Sequence, residues 1–216
     1  MNFFPERQTS PAAERNQGPI LQVLQALLPP QGAALELASG TGQHVACFAA
    51  ALPGWTWQPS DAHTDLFGSI AAWCANLPAA RVRPPVRLDV RAPQWPAEGP
   101  AFSTPFDLVY CANLLHIAPW ACCAGLMQGA ARHLAPQGML VTYGPYREDG
   151  VPTAPGNLAF DASLRSQHPE WGLRRREDAE AVAAQAGLHL AARHALPANN
   201  LLLIWQRPAP TPPAPP

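Results

Sequence analysis

Gly40 and Gly42 stand directly behind the apolar run Ala33–Leu37, which carries one acid, Glu36, and a helix-spaced pattern begins after them. Glycine lets a backbone come close to a ligand, and the helix that follows has unpaired N–H groups to offer it. A strand, a glycine turn and a helix in this order read as the opening unit of a nucleotide-binding α/β domain, with Ala38, Gly40, Thr41 and Gly42 as the cradle. An ordinary strand-to-helix turn could use the same glycines. A dinucleotide fingerprint would place a third glycine where Val45 stands, so that pattern is incomplete.

Other polar groups recur at the ends of later strands. Asp61 follows Gly42 by nineteen positions, close to the roughly twenty at which such a unit sets the acid that accepts the ribose hydroxyls. The alternative is a cap for the helix behind it, a role Asp also favours. Asp89, with Val90 beside it, closes a third strand, where it either reaches an adenine amino group or is an exposed acid. Asn113 and His116 follow a fourth strand, where the sheet opens to its ligand. An imidazole there would contact substrate or act as a base, unless it is structural, as most single histidines are. Tyr143 and Tyr146 flank the turn after a fifth strand as candidate pocket walls.

These residues require an alternating scaffold. Ser10 and Pro11 start a short helix. Beyond Gly18 and Pro19, Ile20, Leu21, Leu24, Leu27 and Leu28 form one apolar face of a second, which Pro29 and Pro30 stop. Between them Glu14, Arg15 and Asn16 are either a solvated face or part of a lid. Strands follow at Trp55–Pro59, Val86–Val90, Phe106–Cys111 and Met139–Tyr143, with helices at Ala62–Cys74 and Pro119–His133. Arg91–Pro105 reads as a surface loop. An insertion with a mobile loop at Arg147–Gly156 and a helix at Asn157–Ser166, carrying Phe160, Asp161 and Arg165, could close over substrate. A helix at Arg174–Ala186 precedes Leu188–Leu196 and Leu201–Trp205, which read as a hairpin.

With 216 residues the chain should form one sizeable domain, over 1–207, followed by a disordered proline-rich tail at 208–216. Charged residues make up only 13%, the formal net charge is -1, and Lys is absent, which disfavours general nucleic-acid binding. The five cysteines show no Cys-x-x-Cys pair and no metal spacing with histidine, so reduced thiols and no metal site are expected. Glu6 and Arg7 interrupt the start where a signal peptide needs its apolar core, and no stretch is apolar for membrane-spanning length. A cytoplasmic protein without membrane partners is the expectation.

Several segments together resemble class I S-adenosylmethionine-dependent methyltransferases, and within them the methyltransferase-like protein 26 family, also labelled domain of unknown function 938. They are SPAAERNQGPILQVL at Ser10–Leu24, LELASGTGQH at Leu35–His44, WQPSD at Trp57–Asp61 and CANLLHIAPW at Cys111–Trp120. They continue with YGPY at Tyr143–Tyr146, NLAFDASLR at Asn157–Arg165, PEWGLR at Pro169–Arg174 and LPANNLLL at Leu196–Leu203. The resemblance implies a Rossmann-like, seven-stranded, mostly parallel sheet with a C-terminal antiparallel hairpin and helices on both faces, and S-adenosylmethionine as cofactor. It places Glu36, Gly40 and Gly42 toward the methionine part, Asp61 at the ribose, Asp89 at the adenine and Asn113 near the sulfonium. Leu196 stands where Met is usual, and His44 where a typical class I turn has its third glycine.

Methyl transfer from a sulfonium mainly requires alignment, with a base such as His116 only for a nucleophile that must lose a proton. Arg15, Asn16, Tyr143, Tyr146, Phe160, Arg174 and Asn199 are the expected acceptor contacts, and the polar lid groups Glu14, Arg15, Asn16, Asp161, Arg165, Arg174, Asn199 and Asn200 point to a small polar or anionic molecule. Two competing readings are a nicotinamide-dependent oxidoreductase on a similar sheet and a catalytically idle protein that only binds S-adenosylmethionine.

Overall fold

The computed structural model describes residues 6–96 and 98–208, so the tail expected at the C-terminus lies, from residue 209 on, outside the described residues. Seven strands join one sheet: β1 Gly32–Leu37, β2 Trp55–Asp61, β3 Val86–Arg87, β4 Phe106–Ala112, β5 Leu134–Gly144, β6 His189–Leu196 and β7 Asn200–Gln206. Their order is β3-β2-β1-β4-β5-β7-β6. Every pairing is parallel except those of β7, which runs antiparallel between β5 and β6. The order reverses between β1 and β4, and in such sheets a ligand binds at the carboxyl ends beside that switch point.

Strands buried on both faces read as continuous apolar runs, and helices cover both. On one face α1 (Pro11–Leu27), α2 (Gln43–Ala51) and α3 (Phe67–Cys74) bring Ile20, Leu24, Val45, Phe48 and Ile70 onto Ala34, Leu108, Tyr110 and Val141. On the other, α4 (Ala121–His133) and α6 (Arg176–Gln185) bring Leu126, Met127, Ala179 and Ala183 onto Leu35, Leu37, Val109 and Leu140. The insertion helix α5 (Pro155–Gln167) is tied down by buried Asp161, which pairs with Arg147 and Arg165 and accepts from the Leu173 N–H at 2.7 Å. Among the described residues no helix is long and apolar enough to cross a membrane, and all five cysteines are free.

Four local expectations are corrected. The first two helices are one: α1 runs through Pro19, because Asn16, Ile20 and Leu24 form a single buried stripe on either side of it. Pro19 costs only the hydrogen bond it would have donated to the Arg15 carbonyl. The helix expected from Ala62 begins at Phe67; Asp61 divides its carboxylate between the Gly40 N–H and the His63 N–H, holding a turn ahead of that helix. The third strand holds only Val86–Arg87, for Asp89 folds onto Arg91 and bends the chain away. Within the loop at 91–105, Trp95 is fully buried, stacked on His133 against Gly129, where a Cβ would stand 2.0 Å from the indole.

Candidate active site

The carboxyl ends of β1 and β2 are bound to each other by short polar links. The Ser39 N–H donates to the Ser60 carbonyl at 2.9 Å, the Ser60 hydroxyl to the Glu36 carbonyl at 2.7 Å, and the Ser60 N–H to the Ser39 hydroxyl at 3.1 Å. Above them the turn needs positive φ at Ala38 (53°), Gly40 (52°) and Gly42 (89°). For Ala38 that conformation is costly and marks a turn held by its surroundings. The two glycines have different reasons. A Cβ on Gly42 would meet the Ile70 Cα at 2.6 Å, so Gly42 lets α2 and α3 approach, whereas one on Gly40 would meet no protein atom within 4 Å. The expectation that both glycines clear space for a ligand therefore holds in geometry only at Gly40. Thr41 sits inward, its hydroxyl donating to Gln43 Oε1 at 2.9 Å and its carbonyl accepting from Ser69.

Asp61 closes this corner. Its Oδ2 accepts from the Gly40 N–H at 3.0 Å and its Oδ1 from the His63 N–H at 3.1 Å. Beneath lies Glu36, 1% exposed, with neither carboxylate oxygen hydrogen-bonded among the described residues. Burial pushes its pKa from 4.5 up to about 8; the nearby Ser39 hydroxyl pulls against this, and the charge of Asp61 pushes with it. An acid that is buried and unpartnered is rare, and it calls for a cationic or donor-rich ligand. Asp89 is hydrogen-bonded to Arg91, which holds its carboxyl below the usual range. Val90 is buried in the core under α4, its carbonyl facing Gly125 and the Trp95 indole.

A cavity of about 490 Å³ opens at the ends of β4 and β5, under α1, α5 and the β6–β7 turn. Arg15, Asn16, Asn113, Tyr143, Phe160 and Asn199 all line it, six residues from five separate segments, whereas Glu14, Asp161 and Arg165 are not in its wall. Asn113 adopts φ 60°, and its N–H donates to the Tyr143 carbonyl at 2.8 Å, which joins the ends of β4 and β5. No Asp, Glu, His or Cys belongs to the described wall.

Three expected contacts lie elsewhere. His116 is 1% exposed, packed edge-on to Tyr146 at 4.7 Å with both ring nitrogens unpartnered, and burial, with Arg174 adding, lowers its pKa to about 3. It forms no part of the cavity wall; Gly144 covers its Nε2, and a Cβ there would stand 2.3 Å away. That placement gives a base no path to a ligand. Tyr146 is buried, donating to Thr142 Oγ1 at 3.0 Å, and borders a smaller hollow of about 180 Å³ beside the main one. Arg174 is a splint for the chain: its guanidinium lies over Trp120 and donates to the carbonyls of Leu115, Ala118 and Glu170.

The part that sequence reasoning missed is a hydrogen-bond chain behind the cavity. His44 Nε2 lies 2.6 Å from Asn16 Oδ1 and its Nδ1 3.2 Å from the Tyr110 hydroxyl, with the ring stacked on Phe48. Since an amide oxygen only accepts, Nε2 carries the proton and Nδ1 accepts from Tyr110. Burial lowers the His44 pKa to about 4, so the ring is neutral. The only signal in the sequence was a histidine in a glycine's place.

Comparison with solved structures yields the same architecture. CalO1, a methyltransferase in calicheamicin biosynthesis in its SAH-bound form, superposes with a TM-score of 0.71 at 16% identity over 91% of this chain and 55% of that one. An O-methyltransferase family protein from Burkholderia thailandensis gives 0.73 at 21% over 91% and 57%. An O-methyltransferase family 2 protein from Planctomyces limnophilus, in complex with apigenin, gives 0.71 at 18% over 91% and 60%. This chain thus spans little more than half the length of these proteins, and the likeness establishes a Rossmann-like class I methyltransferase fold. Val45 is buried in the core and the antiparallel β7 lies between its neighbours, as in that fold. The model of the protein family of unknown function DUF938 matches residues 7–207, and the chain belongs to that family.

Proposed function

We propose that this protein is an S-adenosylmethionine-dependent methyltransferase of the methyltransferase-like protein 26 kind, acting on a small polar acceptor. The observation that carries the reading is the orphaned carboxyl of Glu36 beneath the Gly40 corner, at the carboxyl end of β1. The chemistry of the corner fits the cofactor. A buried acid without a partner suits the ammonium of a methionine group, and the carboxylate of Asp61 suits the hydroxyls of a ribose. Asp89, in the bend that follows the third strand, is the acid left for an adenine, and Asn113 borders the acceptor cavity.

When bound, S-adenosylmethionine supplies an electrophilic methyl carbon whose leaving group is a neutral sulfide. The chain's own task is alignment: Asn113 and Tyr143 line the cavity at the ends of β4 and β5, and α1 and α5 flank it. With no acid, imidazole or thiol in the described wall and His116 sealed away, the acceptor atom has to bring its own lone pair.

Equilibrium dialysis with radiolabelled S-adenosylmethionine tests this. One saturable site is expected, displaced by S-adenosylhomocysteine but not by NAD, and weakened at least tenfold in Asp61→Ala. Absence of retention, or displacement by NAD, would overturn it. Retention without methyl release over a broad panel of small molecules would leave a binding protein rather than an enzyme.

A further inference from the structure

The cavity wall has opposite hydrogen-bonding character on its two sides, and the hydrogen-bond chain behind it sets this. Because the Asn16 carbonyl oxygen is held by His44 Nε2, what Asn16 still offers the cavity is its NH2 group. Beside it stands Arg15, which makes no ion pair among the described residues. The Tyr143 phenol feels both groups, yet burial raises its pKa, so it stays protonated as a further donor. The α1 side therefore presents donors and one positive charge.

The facing side is different. Asn157 donates one amide N–H to the Asn199 carbonyl at 3.0 Å, and Asn200 donates one to the Pro197 carbonyl at 3.0 Å. Both amides line the cavity; Asn200, whose second N–H reaches the Ala198 carbonyl at 3.4 Å, has only its carbonyl oxygen left to offer, and Asn157 has its carbonyl oxygen and one N–H. Between the two sides the ring of Phe160, 43% exposed, lines the cavity as a flat apolar face.

We infer that the cavity takes a small acid with a flat apolar body, its carboxylate on Arg15 and Asn16 and a hydroxyl or amino hydrogen at its other end on Asn157 and Asn200. This names the acceptor class for the methyltransferase reading and rests on it. A carboxylate matches a charged donor pair, and a donor hydrogen is the only group that satisfies two amide oxygens. A neutral alcohol would leave the guanidinium without a counter-charge, and an acid lacking the hydroxyl would leave the facing amides unpaired.

Calorimetry at pH 7.5 with 4-hydroxybenzoate, 4-hydroxybenzyl alcohol and benzoate tests the assignment. The wild-type protein should bind 4-hydroxybenzoate at least tenfold more tightly than 4-hydroxybenzyl alcohol, and several-fold more tightly than benzoate, as expected when a charged or a neutral hydrogen bond is lost. Arg15→Gln should bring 4-hydroxybenzoate down to the level of the alcohol. Asn16→Asp, which can still accept from His44 but turns a like charge toward the ligand, should do the same while melting near the wild-type temperature. Equal affinity for acid and alcohol, an unchanged preference in Arg15→Gln, or no binding of 4-hydroxybenzoate at 10 mM would overturn the inference. S-adenosylhomocysteine titrated into the same wild-type sample separates the failures. If it binds and the acid preference is absent, only the acceptor class is wrong; if it does not bind, the methyltransferase reading falls.

Discussion

Glu36→Gln should make the ligand-free protein more stable at alkaline pH while weakening its grip on the cofactor. In the folded chain burial lifts this carboxyl from 4.5 to about 8, and neither oxygen has a hydrogen-bond partner among the described residues. Below pH 4.5 the folded and unfolded chains both hold the proton, and the fold suffers nothing. As the pH rises from 4.5 to about 8 the unfolded chain gives up its proton and the buried carboxyl does not, so stability falls across this window. At about 1.4 kcal/mol for each tenfold change in proton affinity, the loss reaches up to about 5 kcal/mol and levels off above pH 8. Glutamine has almost the same shape and cannot ionise. Urea unfolding at pH 5, 7 and 8.5 should show wild type and variant alike at the first pH and diverging by several kcal/mol at the last, the variant being more stable. S-adenosylhomocysteine should reverse the order, since its ammonium would stabilise the charged form of Glu36 in the wild type alone. A stability difference that does not change with pH would refute the reasoning, as would equal stabilisation of both proteins by the ligand.

The same logic with opposite sign applies to the buried imidazoles. Burial lowers His44 from 6.5 to about 4, so its contribution is present above pH 6.5 and lost as the pH falls toward 4, and His44→Phe should remove that part of the acid sensitivity while costing about 2 kcal/mol near pH 7 through the stranded Tyr110 hydroxyl and Asn16 oxygen. Gly144→Ala should destabilise by about 1 to 3 kcal/mol because its Cβ would sit 2.3 Å from His116 Nε2, and a double-mutant cycle with His116→Ala should show the penalty relieved. The two turn glycines should separate: Gly42→Ala, facing the Ile70 backbone at 2.6 Å, should lower the melting temperature markedly, whereas Gly40→Ala, with open space beside it, should cost about 1 kcal/mol in stability and chiefly reduce S-adenosylhomocysteine affinity in calorimetry.

The order of elements was legible because buried strands and amphipathic helices have different apolar periods, and because the hairpin at the end separates this sheet from a dinucleotide fold. Spacing placed the glycine turn and Asp61 at neighbouring strand ends, and Glu36 stood out through its likeness to a methyltransferase motif. What failed failed for local reasons that act through space. Pro19 reads as a helix breaker, yet the buried stripe of Asn16, Ile20 and Leu24 outweighs one missing hydrogen bond. Trp95 sits in a proline-rich stretch with no periodicity, and only the bare Gly129 surface explains its burial. His116 falls beside a strand end in the sequence and Arg174 at the start of a helix, but one is sealed under Gly144 and the other is held by three backbone carbonyls. The Asn16–His44–Tyr110 chain joins three elements separated by 28 and 66 positions, a distance at which no local pattern carries information.

A crystal structure of the protein soaked with S-adenosylhomocysteine addresses the cofactor corner directly. The expected map shows the ligand's ammonium at the Glu36 carboxyl, its ribose hydroxyls at Asp61, and the sulfur facing the cavity bordered by Asn113. Density lying away from the Gly40 corner, or a Glu36 carboxyl still without a partner in the complex, would contradict the assignment of this fold's open end to S-adenosylmethionine.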